Sequence, residues 1–316
     1  MKPSKMPVRI LNRSVLNNIH GKDYIGQGHG QGGVICDDIC VSTVSMRYKT
    51  DFLETDLCRC INNLTAAGAD CVGLTVNIMF PRTFVESRLK NLVKRIDTFC
   101  IKHGLRYMGG NTEVSADVKD IVVGVTAVGH VRRKFSKASP KEYIIVAGDV
   151  GRMGLHVLGK TYEEELSKRY NSLFMERLRV DKDGFLLSDI LDITKDSKVT
   201  CMQDLTSMGV FGGLYELSER TGLGIEVDID EIPIRQETIE VCEYFKINPY
   251  EVDSLGAMLI ISPEYEDIVS KLKNSGMMAS VIGRLTDKKD RVAIYKGEKR
   301  NLNELSCDAL AEILYR

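Results

Sequence analysis

The chain alternates strand-like and helix-like segments throughout, and that alternation restricts it to an α/β or α+β architecture of helix-covered sheets. Val34 to Val44 is rich in β-branched residues and reads as one strand. Leu57 to Ala67 reads as a helix closed by Gly68, and Cys71 to Phe80 as a strand ended by Pro81. Between Glu86 and His103 the residues Leu89, Leu92, Val93, Ile96, Phe99 and Cys100 recur at helical spacing, with Gly104 as the stop. Ile121 to Val128 is a third strand. In the second half, strands are predicted at Tyr143 to Ala147, Ile225 to Ile229, Ala257 to Ile261, Ser280 to Ile282 and Arg291 to Tyr295. Helices are predicted over Tyr162 to Leu173, Ser207 to Thr221, Tyr265 to Asn274 and Leu302 to Tyr315.

The two halves meet at the basic, turn-rich stretch Arg132 to Pro140. It divides the chain into 1–134 and 135–316 if it is a linker; a long surface loop within one domain is the competing reading. Lysine plus arginine number 43 and aspartate plus glutamate 44, a net charge of −1, which argues against nucleic-acid binding. No apolar run approaches the ~20 residues of a spanning helix, and Met1 to Lys5 is not followed by a signal-peptide core. The nine cysteines are irregularly spaced, and Cys58-Arg59-Cys60 lacks the partners of a zinc site. The expectation is a cytoplasmic chain with reduced thiols, bound neither to membrane nor to nucleic acid.

Five segments depart from what packing requires. Gly26 to Gly33 holds five glycines in eight residues (Gly26, Gly28, Gly30, Gly32 and Gly33) around His29. Glycine costs entropy on folding, so the loop either brings backbone N–H groups to a phosphate or is simply flexible. Asp37-Asp38 interrupts an apolar strand, as a Mg2+ site or as a solvated strand end. Gly109-Gly110-Asn111-Thr112-Glu113 reads as a tight turn with oxygen ligands between a helix and a strand. Ala147 to Gly154 joins a strand to a helix through glycines, as an anion site or a plain connection. In Met202 to Gly213, Asp204 or Ser207 is the candidate helix cap, and Gly209, Gly212 and Gly213 imply a special close contact. The five histidines do not cluster, which weighs against hydrolase triads.

In this order the segments resemble the aminoimidazole ribonucleotide (AIR) synthetase-like superfamily, which includes thiamine-monophosphate kinase, selenophosphate synthetase and the hydrogenase-maturation carbamoyl dehydratase. Gly109 to Glu113 is similar to the superfamily's GG[ED]T segment, and Asn62 to Ala69 to its ND-L-x-x-x-GA helix. Asp37-Asp38 resembles the kinase branch's acidic pair. Met202 to Gly213 with Ile225 to Pro233 is similar to the hydrogenase branch, and Ser280 to Thr286 resembles the closing IGxV segment. The resemblance implies a two-domain fold: an N-terminal domain whose mixed sheet dimerises, and a C-terminal α+β domain. It also implies ATP and Mg2+ as cofactors. Gly28, Gly30, Gly32, Gly33, Asn63, Gly109, Gly110, Asn111 and Thr112 would then contact the nucleotide. Asp37, Asp38 and Glu113 would hold metal, and Asp204 and His29 would serve catalysis.

Two departures stand out. Asn63 and Asn111 occupy positions where the superfamily carries a carboxylate, so each keeps an oxygen and loses a charge. The chain ends Ala311 to Arg316 without the terminal cysteine of the carbamoyl dehydratase, and no thiocarbamate chemistry is expected. The reading that follows is an ATP- and Mg2+-dependent kinase of a small molecule, for which a nucleoside-like or vitamin-precursor acceptor such as α-ribazole is a candidate. The alternatives are an ATP-dependent synthetase or dehydratase acting through a phosphorylated oxygen, and a nucleotide-binding protein without catalysis.

Overall fold

A computed structural model of the protein describes residues 3–19, 32–46, 52–83, 85–179 and 182–315. The first half runs α1 (Val8–Ser14), β1 (Val34–Cys36), β2 (Ile39–Ser45), α2 (Leu53–Ala66), β3 (Ala69–Pro81), α3 (Glu86–Lys102), β4 (Arg106–Ser115) and β5 (Val122–Val131). Its strands form a mixed five-stranded sheet in the order β1-β2-β5-β3-β4, with only β3 and β4 parallel.

The second half begins with β6 (Tyr143–Gly148), α4 (Arg152–Thr161), α5 (Glu163–Ser167), α6 (Ser172–Leu178), α7 (Ile190–Ile193) and β7 (Cys201–Leu205). It continues with α8 (Gly209–Thr221), β8 (Gly224–Asp228), α9 (Gln236–Phe245), β9 (Ala257–Ser262), α10 (Glu266–Asn274), β10 (Ala279–Thr286), β11 (Arg291–Tyr295), β12 (Glu298–Asn301) and α11 (Ala309–Leu314). Its seven strands take the order β12-β11-β8-β10-β6-β9-β7.

Helix α2 joins the halves and is buried along almost its whole length. Leu53, Leu57 and Leu64 are fully buried in the core that α2, α3 and the first sheet share. Each contributes roughly 1.5–3 kcal/mol of hydrophobic stabilisation. The polar face of α2 turns to the second half. Asn62 donates to the Phe185 carbonyl at 2.8 Å and accepts from the Leu187 N–H at 2.9 Å. The opposite face of the first sheet leaves Val34, Ile39, Met108 and Val122 exposed. The Arg132–Pro140 stretch is tied to the second half at its start. Arg132 pairs with Asp192, and Arg133 donates to the carbonyls of Thr194 (2.7 Å), Lys195 (2.9 Å) and Ser197 (3.1 Å).

Four predicted elements are corrected. Val34 to Val44 is a hairpin, not one strand: Asp37-Asp38 forms its two-residue turn, with Asp37 left-handed at φ 57°. Aspartate is among the residues that tolerate this region. Gly109 to Glu113 lies inside β4. There the register against β3 shifts between Leu74 and Val76, and a Cβ on Gly110 would meet the Val76 carbonyl oxygen at 1.8 Å. Tyr162 to Leu173 breaks in two because Asn171 caps α6, accepting from the Phe174 N–H at 2.9 Å. Leu302 to Tyr315 is helical only from Ala309, where Asp308 accepts the Leu310 N–H at 2.7 Å as its cap.

Candidate functional site

At the seam between the halves is a cavity of about 590 Å³, walled by the end of β2, by α2, by the segment after β7 and by residues 3–11 and 308–315. Its volume falls in the range of small-molecule sites. Asn63 on α2 and Asp204 on β7 meet there, both only 7% exposed. With its amide oriented to satisfy both ends, Asn63 donates to the two Asp204 carboxylate oxygens at 2.9 and 3.1 Å and accepts from Ser42 Oγ at 2.8 Å. Gly32, at the end of the glycine-rich loop, lies directly over Asn63: a Cβ there would stand 2.2 Å from the Asn63 amide. The backbone's close approach at Gly32 leaves no room for a side chain while that amide stays in place.

Burial pushes the Asp204 carboxyl up to about 6, although Lys5 and Arg59 pull it down. Arg59, 2% exposed, is locked between two further buried carboxylates. It reaches Asp253 at 2.8 Å and Asp56 at 3.4 Å. Since Arg59 and Asp56 sit on α2 and Asp253 precedes β9, this triad also fastens the two halves together. Lys5 contacts both oxygens of Glu216, at 2.6 and 2.8 Å. Gln203 holds Glu216 from behind at 3.2 Å and also reaches the Gly213 carbonyl at 3.2 Å.

Neither Asp204 nor Ser207 caps α8. Asp308 does so from the far end of the chain, accepting the Met208 N–H at 2.7 Å, while its own N–H donates to Ser4 Oγ at 3.0 Å. The glycines of α8 serve the fold. A Cβ on Gly209 would meet the Tyr250 carbonyl oxygen at 2.3 Å, and one on Gly213 the Leu205 side chain at 2.2 Å. The start of α4 is likewise closed: the Gly151 N–H donates to Ser254 Oγ at 2.9 Å, and a Cβ on Gly151 would strike Thr238 at 2.7 Å.

The structure thus brings together Gly32, Asn63 and Asp204 of the sequence-derived candidates, with Gly33 packed against the Asn63 backbone. Gly28, His29 and Gly30 lie outside the described residues. Asp37 and Asp38 are exposed on the hairpin turn, beside the row Ile39–His130. Asn111, paired to Asn77 and through it to Gly124 and Ser45, lies three strands away near the other end of the sheet. Glu113 lies two residues further on. At ordinary strand spacings, Asp38 and the pair Asn111 and Glu113 are roughly 25–30 Å apart within one chain. Gly109, Gly110 and Thr112 belong to that remote edge strand. Among the described residues no group of three metal-type side chains converges. The oxygens suit Mg2+ chemically, but one chain alone does not gather them. Sequence reasoning missed Lys5, Ser42, Arg59, Glu216 and Asp308, because each has a partner distant in sequence.

A mixed five-stranded sheet joined through a buried helix to a seven-stranded sheet, with a cavity at the seam, defines the two-domain AIR-synthetase-like class. Residues 25–131 match the N-terminal domain and residues 142–296 the C-terminal domain of the AIR synthase related protein family, and the chain belongs to that family. A putative hydrogenase expression/formation protein of Methanocaldococcus jannaschii is 25% identical over 250 residues, covering 74% of this chain and 70% of that protein. The solved structure of the hydrogenase maturation protein HypE in complex with ATP superimposes with a TM-score of 0.72 at 16% identity, covering 97% of this chain and 94% of that one. That of AaThiL complexed with AMPPCP and TMP gives 0.71 at 16% identity, covering 95% and 98%. The chain spans about a third of the length of the phosphoribosylformylglycinamidine synthase subunits PurL that it also matches, 36% for that of Ignicoccus hospitalis.

Proposed function

We propose that the protein uses ATP and Mg2+ to transfer a phosphoryl group to a small molecule, and that the seam cavity is where this happens. The observation that carries the reading is the Gly32–Asn63–Asp204 arrangement: a glycine loop end closing directly on a buried amide–carboxylate pair. Phosphoryl transfer needs positioning and charge neutralisation more than covalent chemistry from the protein. Asp204 orients the acceptor and takes up its proton, and Asn63 fixes the carboxylate. The ATP complex of HypE and the AMPPCP complex of AaThiL, proteins of the same fold, support a nucleotide in this fold.

In this reading the metal ligands Asp37, Asp38 and Glu113, together with Gly109 to Thr112, reach one nucleotide only when two copies pair. The pairing surface is the uncovered face of the first sheet, which exposes Val34, Ile39, Met108 and Val122. Division at 134/135 assigns nucleotide and metal binding to residues 1–134. A second reading, an ATP-dependent synthetase or dehydratase acting through a phosphorylated oxygen, is favoured by the likeness to the hydrogenase expression/formation protein.

The test is ADP release by the purified protein against a panel of nucleosides, vitamin precursors and their monophosphates. A phosphorylated acceptor as the final product supports the kinase. Turnover that demands a second, nitrogen- or sulfur-bearing substrate supports the alternative. No release above background with any acceptor counts against both.

A further inference from the structure

Among the described residues, the cavity wall contains two cations, Lys5 and Arg59. Arg59 is spent on Asp56 and Asp253 and is nearly inaccessible. Lys5 differs in each respect. Its side chain keeps 29% of its surface exposed, and an ammonium has three N–H donors. Glu216 accepts from one of them at 2.8 Å, with its other oxygen 2.6 Å from the ammonium. The segment that carries Lys5 is held on both sides of it: Ser4 Oγ accepts the Asp308 N–H, the Arg9 N–H donates to Glu304 at 2.8 Å, and Val8 is buried. Glu216 is itself fixed by Gln203, which is anchored on the Gly213 carbonyl. The result is a relay from the backbone of α8 through Gln203 and Glu216 to an ammonium at the cavity wall.

We infer that Lys5, carried by the amino-terminal segment and oriented by Glu216, is the residue that binds the phosphate of a ligand in this cavity. The inference rests on the phosphoryl-transfer reading and deepens it by naming the group that receives the anion. An anion entering beside the Asp204 carboxylate meets repulsion unless a cation stands between them, and among the described residues of the wall Lys5 is the cation with a donor to spare. Glu216 is then a positioning residue: it aims the ammonium without touching the ligand. Because the amino-terminal segment supplies the cation, nucleotide binding and the docking of that segment are coupled.

Calorimetric titration with Mg2+–ATP, ADP and pyrophosphate tests this on the parent and on Lys5→Met, Lys5→Arg and Glu216→Gln. The loss of a charge-assisted hydrogen bond is expected to weaken binding by about tenfold or more in Lys5→Met. Lys5→Arg is expected to recover most of it, and Glu216→Gln to fall between. Acylation of Lys5 in the parent, read by mass spectrometry, is expected to slow severalfold when pyrophosphate is present, a readout that does not depend on any variant folding. Equal binding by parent and Lys5→Met, or an acylation rate that pyrophosphate leaves unchanged, overturns the inference alone. A parent that binds none of the three ligands overturns it together with the phosphoryl-transfer reading.

Discussion

Asn63 gives its amide to both oxygens of Asp204, at 2.9 and 3.1 Å, across the boundary between the two halves of the protein. A carboxylate at position 63, as the superfamily resemblance would supply, would face Asp204 at hydrogen-bond distance with no donor between them. The asparagine lets the two elements close without a cation.

Asn63→Asp tests this directly. Two carboxylates in contact in a buried site are expected to cost about 2–4 kcal/mol in metal-free buffer, unless one stays protonated. Urea denaturation should show the loss, and millimolar Mg2+ should restore part of it. Equal stability of variant and parent without metal would remove the amide from the account.

The pH dependence of Asp204 has a definite sign. Burial raises its carboxyl to about 6 in the folded protein, above the ~3.9 of an unfolded chain. The folded state therefore binds this proton more tightly, and the stability that protonation confers is complete below about 4 and lost as pH rises through 6. Asp204→Asn does not titrate, so its melting temperature relative to the parent should climb between pH 4 and 7. Turnover by the parent should fall on the acid side of about 6. A flat difference between the two proteins across that window would contradict the burial argument. The comparison matters because Asp149, also raised to about 6 by burial, titrates in both.

Arg59 holds two carboxylates from opposite sides of the seam. Arg59→Met would remove the cation that buried Asp56 and Asp253 share across the seam. A loss of about 3–5 kcal/mol is expected by chemical denaturation. A loss below about 1 kcal/mol would mean that the triad is not a fastening between the halves.

Asp37 and Asp38 are exposed on a turn, and exposed sites of this kind seldom affect stability. Asp37→Asn and Asp38→Asn should melt within a degree or two of the parent, since asparagine also accepts the left-handed backbone at position 37. The same variants should lose most Mg2+-dependent ATP binding. Full retention of that binding would withdraw both residues from the metal site.

Much of this was legible in the sequence, for identifiable reasons. The helical spacing of Leu92, Ile96 and Phe99 and the Gly68 stop after α2 locate their elements because local periodicity and glycine backbone freedom decide them. Asn63 and Asp204 were visible as oxygen-bearing residues in resembling motifs. The turn at Asp37-Asp38 was not, because β-branched residues flank it on both sides and a two-residue hairpin leaves the alternation almost intact. Asp308 hid the true start of α11 because Leu302, Leu305, Ala309 and Ile313 keep helical spacing across the cap. Lys5 and Glu216 are 211 positions apart. No pattern within either segment marks such a pair; only the closing of the chain on itself does.

The central claim, that this cavity holds a magnesium nucleotide, is tested most directly by calorimetric titration of the parent with ATP in the presence and absence of Mg2+. The account expects saturable binding, one nucleotide per chain, that needs Mg2+ and is lost in Asp38→Asn. No heat of binding at any Mg2+ concentration, or equal binding with and without the metal, would contradict it.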